Sequence, residues 1–425
     1  MMHAAIVLLV LILTYFGMAA GRIAWLQVDR TGIALLAVIA LLAGGQMTLD
    51  DFGSAVDMPT LALLFAMMII SAQFAESGFI DLCARTITRT SGGSAVLLAL
   101  TVAIGGGLSA VLANDILIAT IAPPLIAGAL ARGLDPRPFV IALAAAVNAG
   151  SSATMIGNPQ NILLGAMGGL DFWNFIAICA VPAMFSLVVV FVVVWLQWHR
   201  RIDSGVPALA NPLPVVTHPL DRNQTIKGAV AILALLLLFL TPLPRETGAL
   251  IIAALLLANR KITSRTMIAT VDWPLLLLVA CLFAITGALN RTGIAAQALA
   301  FLIDYGLLPS SLLLLTPFAL VTSNAIGSLP ASMLLLQIWQ VPPSHVLYAL
   351  SLLSSLSGNL LLSGSLTNVL IAERAERMGT RLSFADHARA GIPIVLASIG
   401  FAILWLSLID ILPLTPPPLA PTLPP

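Results

Sequence analysis

Charged side chains are scarce in this sequence. Asp, Glu, Lys and Arg together make up 9% of its 425 residues, whereas a soluble domain has about a quarter. Hydrophobic residues make up 60%, and the mean hydropathy is +1.05. These values exclude an ordinary soluble protein. The formal net charge of +1 gives no reason to expect a nucleic acid partner.

The sequence also lacks the side chains that build most catalytic sites. Its three cysteines lie far apart and form no CxxC pair, so neither a metal site nor a disulfide framework is indicated. Its five histidines fall in predicted loops or at predicted helix ends, namely His3, His199, His218, His345 and His387. No buried pair of acids is evident. We therefore predict that the protein is not an enzyme.

Long apolar segments run from one end of the chain to the other. Stretches of roughly 20 apolar residues have the length that crosses a bilayer as a helix, so they predict an all-α polytopic membrane protein. We predict about ten full crossings, near residues 4–20, 32–47, 57–75, 137–165, 173–197, 226–242, 247–259, 272–290, 344–371 and 391–413. Two apolar stretches with polar tips, 95–130 and 308–340, are predicted to be re-entrant helical hairpins. The first segment lacks a basic start, which favours a retained helix over a signal peptide.

The basic residues predict the orientation of these crossings. When both termini are placed outside the cytoplasm, every Lys and Arg except Arg245 and Arg291 lies on the inner side, as the positive-inside rule requires. This layout predicts a multi-pass protein of the inner (plasma) membrane. It places no Lys or Arg in the membrane core.

The two halves of the chain repeat each other. The segment that begins at Asp57 resembles the one that begins at Asp272, Asn114 aligns with Asn324, and Asn161 aligns with Asn368. An odd number of predicted crossings separates the two copies, so they enter the membrane from opposite sides. This pattern predicts an inverted-topology repeat, which is common in secondary transporters.

The repeat divides the chain into four regions. The N-terminal half, 1–198, contains the first hairpin and the broken helix 137–165. Residues 199–225 form a cytoplasmic linker, and the C-terminal half, 226–413, contains the second hairpin and the broken helix 344–371. Residues 414–425 form a Pro-rich tail.

Polar residues interrupt the apolar segments at matched places in both halves. Gly157-Asn158-Pro159 breaks one helix and 364–368 breaks its counterpart, and unwound backbone at membrane depth survives where it lines a cavity. With the tips 113–115 and 323–325, these breaks predict one site near the midplane, although small polar residues also serve helix packing. The candidate substrate ligands are Asn114, Ser151, Ser152, Thr154, Gly157, Asn158, Asn161, Ser323, Asn324, Ser363, Gly364, Ser365, Thr367 and Asn368.

Asp115 is the principal candidate for ion coupling, together with Asn114 and Asn324. A carboxylate at membrane depth is costly and usually functional; the alternative is that it caps the second hairpin helix. No cofactor is indicated apart from a Na⁺ that could be held by Asn114, Asp115 and Asn161. The other acids at apolar segments, Asp57 and Asp272, each precede a proline and are predicted N-caps.

The segments VLANDILIATIAPPLI, VNAGSSATMIGNPQNILLG, SNAIGSLPASMLLL and GNLLLSGSLTNVLIAE resemble the arsenite-permease/citrate-transporter-like group of the ion transporter superfamily, over roughly residues 5 to 413. That group includes divalent anion–sodium symporters, arsenite efflux permeases and sodium/proton antiporters. The resemblance implies an elevator-type transporter, usually a homodimer, with substrate bound between the hairpin tips. The tip Ala113-Asn114-Asp115 is closer to the arsenite permease pattern than to the Ser-Asn-Thr of sodium–dicarboxylate symporters.

These observations lead to a functional hypothesis. The protein is predicted to be a secondary active transporter of a small inorganic or carboxylate anion, coupled to H⁺ or Na⁺. Arsenite or antimonite efflux and cation/proton exchange are the alternatives, and a channel is disfavoured because inverted repeats suit alternating access. Without a cation in the predicted core, helix N-termini, amides and hydroxyls would hold an anion, and a neutral solute would suit the site equally well.

Overall fold

The computed structural model describes residues 2–20, 28–202 and 218–415. The first half of the described chain contains α1 Met2–Ala20, α2 Arg30–Ala43, α3 Leu49–Ala55, α4 Met58–Glu76, α5 Phe79–Arg89, α6 Ser94–Ser109, α7 Asn114–Ala131, α8 Arg137–Ser151, α9 Pro159–Met167 and α10 Phe172–Ile202. The second half contains α11 Arg222–Leu238, α12 Arg245–Leu257, α13 Ser264–Ala269, α14 Trp273–Arg291, α15 Ile294–Asp304, α16 Leu312–Ile326, α17 Ser328–Ile338, α18 Ser344–Ser357, α19 Leu366–Arg377 and α20 Phe384–Leu408. The predicted all-α membrane fold is confirmed.

The order of long and short helices in α1–α10 recurs in α11–α20. The matching helices also begin in the same way. Asp57 accepts a hydrogen bond from the Thr60 N–H (3.0 Å) at the start of α4, and Asp272 accepts one from the Leu275 N–H (3.0 Å) at the start of α14. A proline lies in the first turn of each helix, where its missing N–H costs nothing. Both acids therefore serve as the predicted N-caps.

The two halves pack into each other rather than side by side. Helix α4 packs against α11 and α12 of the other half, and α14 packs against α1 and α2. Two more pairs of helices join the halves, since α7 contacts α19 and α17 contacts α9. The apolar side chains of both halves therefore share one buried core.

Five described helices are long and apolar enough to cross a bilayer: Met58–Glu76, Asn114–Ala131, Phe172–Arg200, Trp273–Arg291 and Phe384–Leu408. One of them, α7, was predicted as an arm of a re-entrant hairpin rather than as a crossing. Helix α6 packs mainly on α8, whereas α7 packs on α5 and α19. The two helices therefore do not pack along each other as the arms of a tight hairpin would. The number of crossings and the inverted insertion of the two halves stay predictions.

Helical structure enters the predicted linker 199–225 from both ends. Helix α10 continues to Ile202, and α11 begins at Arg222 because the Asp221 carboxylate accepts the N–H groups of Asn223 and Gln224. Residues 203–217 of this linker, 416–425 of the predicted tail, and Arg22 of the charge layout lie outside the described residues.

Ion pairs join residues that the predicted layout places on the same face. On the predicted inner face Lys261 contacts Asp221 at 2.7 Å, and the hydrogen bond from Lys261 lowers the pKa of Asp221 below its ordinary value. On the predicted outer face Arg291 pairs with Asp51. The pKa of Asp51 is lowered by hydrogen bonds from the Thr48 backbone and side chain, with a smaller effect of Arg291. Every one of these partners is consistent with the predicted sidedness.

Candidate functional site

The first broken helix has a defined stop and restart. Helix α8 ends at Ser151 and α9 begins at Pro159. Asn158 caps α9, since its Oδ1 accepts the Asn161 N–H at 2.8 Å, and Pro159 in the first turn fixes the backbone for helix entry. The break therefore spans more residues than the Gly157-Asn158-Pro159 predicted from the sequence.

Asn161 holds this break together. Its side-chain Nδ2 donates to the carbonyl oxygens of Ser151 (3.1 Å) and Thr154 (2.9 Å), which the end of α8 leaves without helical partners. Its Oδ1 accepts the Ser351 hydroxyl at 2.6 Å. Because the Asn161 side chain is fully buried and engaged, it satisfies the broken backbone rather than facing a cavity.

The second broken helix repeats this arrangement. Helix α18 ends at Ser357, a 3₁₀ turn spans Leu362–Gly364, and Ser365 caps α19 by accepting the Thr367 N–H at 3.2 Å. Asn368 Nδ2 donates to the carbonyl oxygens of Gly358 (2.8 Å) and Leu361 (3.1 Å). The aligned asparagines thus have the same role in the two halves.

Hydrogen bonds also cross between the breaks. Asn148 of α8 accepts the Ser365 hydroxyl (3.0 Å) and donates to Asn368 Oδ1 (3.1 Å). In return, Asn158 donates to the hydroxyl of Ser355 in α18 at 3.1 Å. Each break is therefore fixed by a helix of the other half.

The second hairpin tip differs from the prediction. Asn324 was placed at the tip 323–325, but it lies in the last turn of α16, and its Nδ2 donates to the carbonyl oxygens of Leu320 and Ser357 (both 2.9 Å). The chain turns instead at Gly327, whose φ of 96° is a conformation that favours glycine. The first tip is confirmed in position, since α6 ends at Ser109 and α7 begins at Asn114.

Both tips and both breaks line one cavity of about 210 Å³. The predicted residues that line it are Asn114, Asp115, Ser151, Gly157, Asn158, Gly364, Ser365 and Thr367. The first residues of α9 and α19 line it too, so two helix N-termini from different halves face the same space. The tips and breaks therefore converge as predicted, except that the second tip contributes residues from Gly327 onward instead of the predicted 323–325.

The other predicted ligands lie around this cavity without lining it: Ser152, Thr154, Asn161, Ser323, Asn324, Ser363 and Asn368. Thr154 and Ser152 donate to the backbone carbonyls of Ala110 and Ala149, and Ser363 is exposed. The Asn324 side chain sits directly against Gly364, leaving no room there for a Cβ. These residues lie behind the lining residues and support them.

Several lining residues were missed: Arg30, Asn148, Gln160, Asp272, Ser328 and Ser355. Arg30 corrects the prediction that no cation reaches the core. It is the first residue of α2, as the layout requires, but its side chain extends into the cavity and donates to the Ser363 carbonyl at 3.3 Å. The length of an arginine side chain is the signal that could have found it.

Asp115 and Asp272 lie together at this site, which corrects the expectation that no acid pair is evident. Both residues line the cavity. Both also line a second cavity of about 660 Å³, whose polar wall includes Glu76, Arg374 and Arg377. Asp115 lies in the first turn of α7, whose N-cap is Ala113, and its side chain is only partly exposed. The alternative that Asp115 caps this helix stays a prediction.

Unsatisfied polar atoms surround the cavity. Asn114 Oδ1, Gln160 Oε1 and Asn324 Oδ1 are buried without a hydrogen-bond partner among the described residues, and such atoms are costly unless something binds them. Asn114 and Asp115 could contribute to a Na⁺ site, but Asn161 is engaged elsewhere. In the described chain, no group of three or more His, Cys, Asp or Glu side chains could hold a metal ion.

His387 is buried beside the second break. It lies at a helix end as predicted, in the first turn of α20, but its side chain packs inward, with Nε2 3.2 Å from the Asn359 carbonyl and 3.4 Å from Asn368 Nδ2. The sequence had given no reason to place a histidine at the site.

Residues 6–340 match the model of the family described as "Citrate transporter". The 46 kDa membrane protein of Mycobacterium leprae is 26% identical over 434 residues, which cover 95% of this chain and 98% of that protein. A silicon efflux transporter of Oryza sativa subsp. japonica is 29% identical over 182 residues, which cover 43% of this chain and 37% of that protein.

A solved structure has a similar fold over the whole chain. The YdaH transporter of Alcanivorax borkumensis superposes with a TM-score of 0.57 at 15% identity, covering 98% of this chain and 99% of that one. At this level of identity the likeness concerns the fold alone. It fits the resemblance to the ion transporter superfamily noted from the sequence.

Proposed function

The chain belongs to the citrate transporter family, and from this premise we propose that it is a secondary active transporter of a small anion coupled to H⁺ or Na⁺. It is a multi-pass membrane transporter and not an enzyme. The substrate class, the coupling ion and the mechanism are the proposed part.

One observation carries the proposal for an anion. The N-termini of α9 and α19 face one cavity, and the guanidinium of Arg30 lines the same space. The positive end of a helix dipole favours negative charge, although the side chains of Asn158 and Ser365 each occupy one N–H group at these termini. Arginine adds a full positive charge, because its guanidinium group stays protonated in proteins. An inorganic or carboxylate anion would therefore be stabilised between the two half-helices.

The carboxylates of Asp115 and Asp272 couple the binding of the anion to the binding of H⁺ or Na⁺. An anion that enters the cavity is repelled by these acids unless a proton or Na⁺ neutralises them. Anion binding and cation binding therefore favour each other, and this reciprocity is the basis of ion-driven transport. Asn114, with its unpartnered Oδ1, lies next to Asp115 and could complete a cation site.

The mechanical part of the proposal is elevator-type alternating access by a homodimer, with both termini outside the cytoplasm. The first two features rest on the resemblance to the ion transporter superfamily. The orientation rests on the distribution of Lys and Arg. The ion pairs Asp221–Lys261 and Asp51–Arg291 are consistent with it, since each joins residues of one predicted face. The termini can be located with an impermeant label on a tagged protein in intact cells.

Efflux of a neutral hydroxide is the second candidate. The matched segment of the rice silicon efflux transporter favours it, as do the two carboxylates, which tolerate a neutral solute better than an anion. Arsenite and antimonite are the neutral solutes of this type that the sequence resemblance suggests. An expressing strain that gains no arsenite resistance would argue against efflux of this solute.

Reconstitution into proteoliposomes tests the function. Citrate, phosphate, sulfate, arsenite and silicic acid are offered separately under an imposed pH or Na⁺ gradient. We expect one of the anions to accumulate above its equilibrium level only when a gradient is present. Equilibration without accumulation would indicate a channel and would overturn the proposal.

The coupling role of Asp115 needs its own variant. Asp115→Asn should abolish gradient-driven accumulation while the protein remains folded, as checked by size-exclusion chromatography. Asp304→Asn is the matched control, because Asp304 is an exposed acid at the end of α15. Normal ion-driven uptake by Asp115→Asn would remove the coupling role.

A further inference from the structure

Arg30 and Arg245 occupy equivalent positions in the two halves. Arg30 is the first residue of α2, and Arg245 is the first residue of α12. As many residues separate these two arginines as separate the N-caps Asp57 and Asp272. The two helices also pack in the same way, each against the long helix of the other half.

Each arginine reaches the break of the other half. Arg30 donates to the carbonyl of Ser363 in the second break at 3.3 Å. Arg245 donates to the sulfur of Met155 in the first break at 3.5 Å. The symmetry therefore extends from the helix positions to the contacts of the side chains.

The environments of the two guanidinium groups differ. Arg30 lines the central cavity and lies 3.3 Å from the position that a Cβ on Gly327 would occupy. Arg245 does not line it, and its guanidinium lies over the Phe239 ring at 6.0 Å. Among the described residues neither arginine pairs with a carboxylate. A thioether and an aromatic ring are weak partners for a cation, so the half-buried guanidinium of Arg245 has no strong partner among these contacts.

We propose that Arg245 is a second anion-contact residue, which takes the place of Arg30 when the cavity opens to the opposite face. The inference rests on the proposed transport of an anion and on the inverted repeat. In such repeats alternating access moves one bundle against the other, and an exchange of conformation between the two halves relates the two states. Arg245 then enters the cavity beside the first break, and Arg30 closes onto the second.

Sided labelling of cysteines tests this exchange without a known substrate. In a background in which Cys83, Cys179 and Cys281 are replaced by alanine, Arg30→Cys and Arg245→Cys are reconstituted and treated with an impermeant sulfonate-bearing thiol reagent on either side. The layout alone predicts labelling of position 30 from the inner face and of position 245 from the outer face, so the exchange itself is tested in the double variant. In the double variant, a reagent on position 30 should slow labelling of position 245 about tenfold, because it holds one face open.

The controls separate this inference from the proposed function. Arg291→Cys reports the orientation of the protein in the vesicles, since Arg291 lies in an exposed ion pair with Asp51. Labelling of Arg245→Cys from neither face, or from the same face as Arg30→Cys, would overturn the exchange while leaving anion transport in place. An Arg30→Cys protein that reacts from neither face would overturn the open cavity, and with it both proposals.

A second pair of variants guards against misfolding of the arginine replacements. Met155→Cys and Ser363→Cys keep both arginines and place the reporter beside them. Met155 is buried and Ser363 is exposed in this structure. Both should become reactive in turn, from opposite faces, and a Met155→Cys that never reacts would contradict the exchange.

Discussion

The two broken helices share a framework but differ in the side chains that they present to the cavity. Asn161 and Asn368 close their breaks with the same pairs of backbone bonds. Asn148 precedes the first of these asparagines by as many residues as Ser355 precedes the second, yet one is an amide and the other a hydroxyl. Within one repeated architecture, the buried bonds are repeated and the lining is free to differ.

The difference is largest among charged groups. The first half contributes Arg30 and Asp115 to the cavity, and the second contributes Asp272. Asp57, the equivalent of Asp272, caps its helix without lining the cavity, and its carboxylate accepts both the N–H and the hydroxyl of Thr60. The charges at the cavity are therefore asymmetric, although the backbone frame around it is symmetric.

Removal of the side-chain amides of Asn161 and Asn368, which close the two breaks, should reduce the stability of the protein most. Asn161→Ala leaves the Ser151 carbonyl and the Ser351 hydroxyl without their partner, at about 1–3 kcal/mol for each unsatisfied buried group, and leaves the Thr154 carbonyl with the Gly157 N–H alone. Asn368→Ala should be equally harmful, because its bonds match. We expect both variants to lose several kcal/mol of apparent stability, measured by thermal unfolding of the purified protein in detergent.

Asn174→Ala is the control for these variants, since Asn174 is exposed on α10. A stable Asn161→Ala protein with weakened substrate binding would contradict the framework role and would return Asn161 to the set of ligands. A large difference between Asn161→Ala and Asn368→Ala would break the symmetry itself.

The next largest difference between the two halves is expected in the stability lost when two left-handed glycines are replaced. Gly78 and Gly293 have φ values of 72° and 75° between matched helices, where any other residue costs about 1–2 kcal/mol. A Cβ at Gly293 would meet nothing within 4 Å, but one at Gly78 would lie 2.6 Å from the Pro219 carbonyl oxygen. Gly78→Ala should therefore destabilise clearly more than Gly293→Ala in the same unfolding assay, and equal losses would show that the approach of Pro219 is not rigid.

The sequence predicted where helices start, break and turn better than it predicted where their side chains lie. The N-caps Asp57 and Asp272 and the first hairpin tip are encoded locally by Asp-x-Pro and Asn-Asp patterns, and the structure places them as expected. The breaks lie near their predicted segments, but the first spans 152–158 and the second spans 358–365, so that 366–368 already belong to α19. Local chemistry of this kind can be read without knowing what packs nearby.

The site residues that were missed depend on tertiary contacts. Arg30 stands at a helix end in the sequence, and only the packing of α2 against α14 brings its side chain to the cavity. Asn324 was aligned with Asn114 by residue identity, but the positive φ of Gly327 moves the second tip beyond it. Neither fact is encoded in a short motif.

Asp272→Asn and Asp57→Asn compare the two caps directly. Asparagine keeps the capping bond, so both variants should fold, and only Asp272→Asn removes a charge from the cavity. We expect gradient-driven accumulation to fall about tenfold or more in Asp272→Asn, which corresponds to about 1.4 kcal/mol, and to stay nearly unchanged in Asp57→Asn. Equal transport by the two variants would exclude Asp272 from coupling.

The smallest effect is expected at the ion pairs of the two faces, Asp221–Lys261 and Asp51–Arg291. Folding lowers the pKa of both aspartates, so their stabilisation is present above the unfolded-state pKa of about 3.9 and is lost as the pH falls through the lower folded-state pKa. Asp221→Asn and Asp51→Asn should therefore unfold at slightly lower temperatures than the parent at pH 7, and the difference should vanish in strong acid. Because hydrogen bonds from Thr48 dominate at Asp51 whereas Lys261 dominates at Asp221, high salt should reduce the difference more for Asp221→Asn. A salt response of equal size at both positions would mean that Arg291 supports Asp51 as strongly as Lys261 supports Asp221.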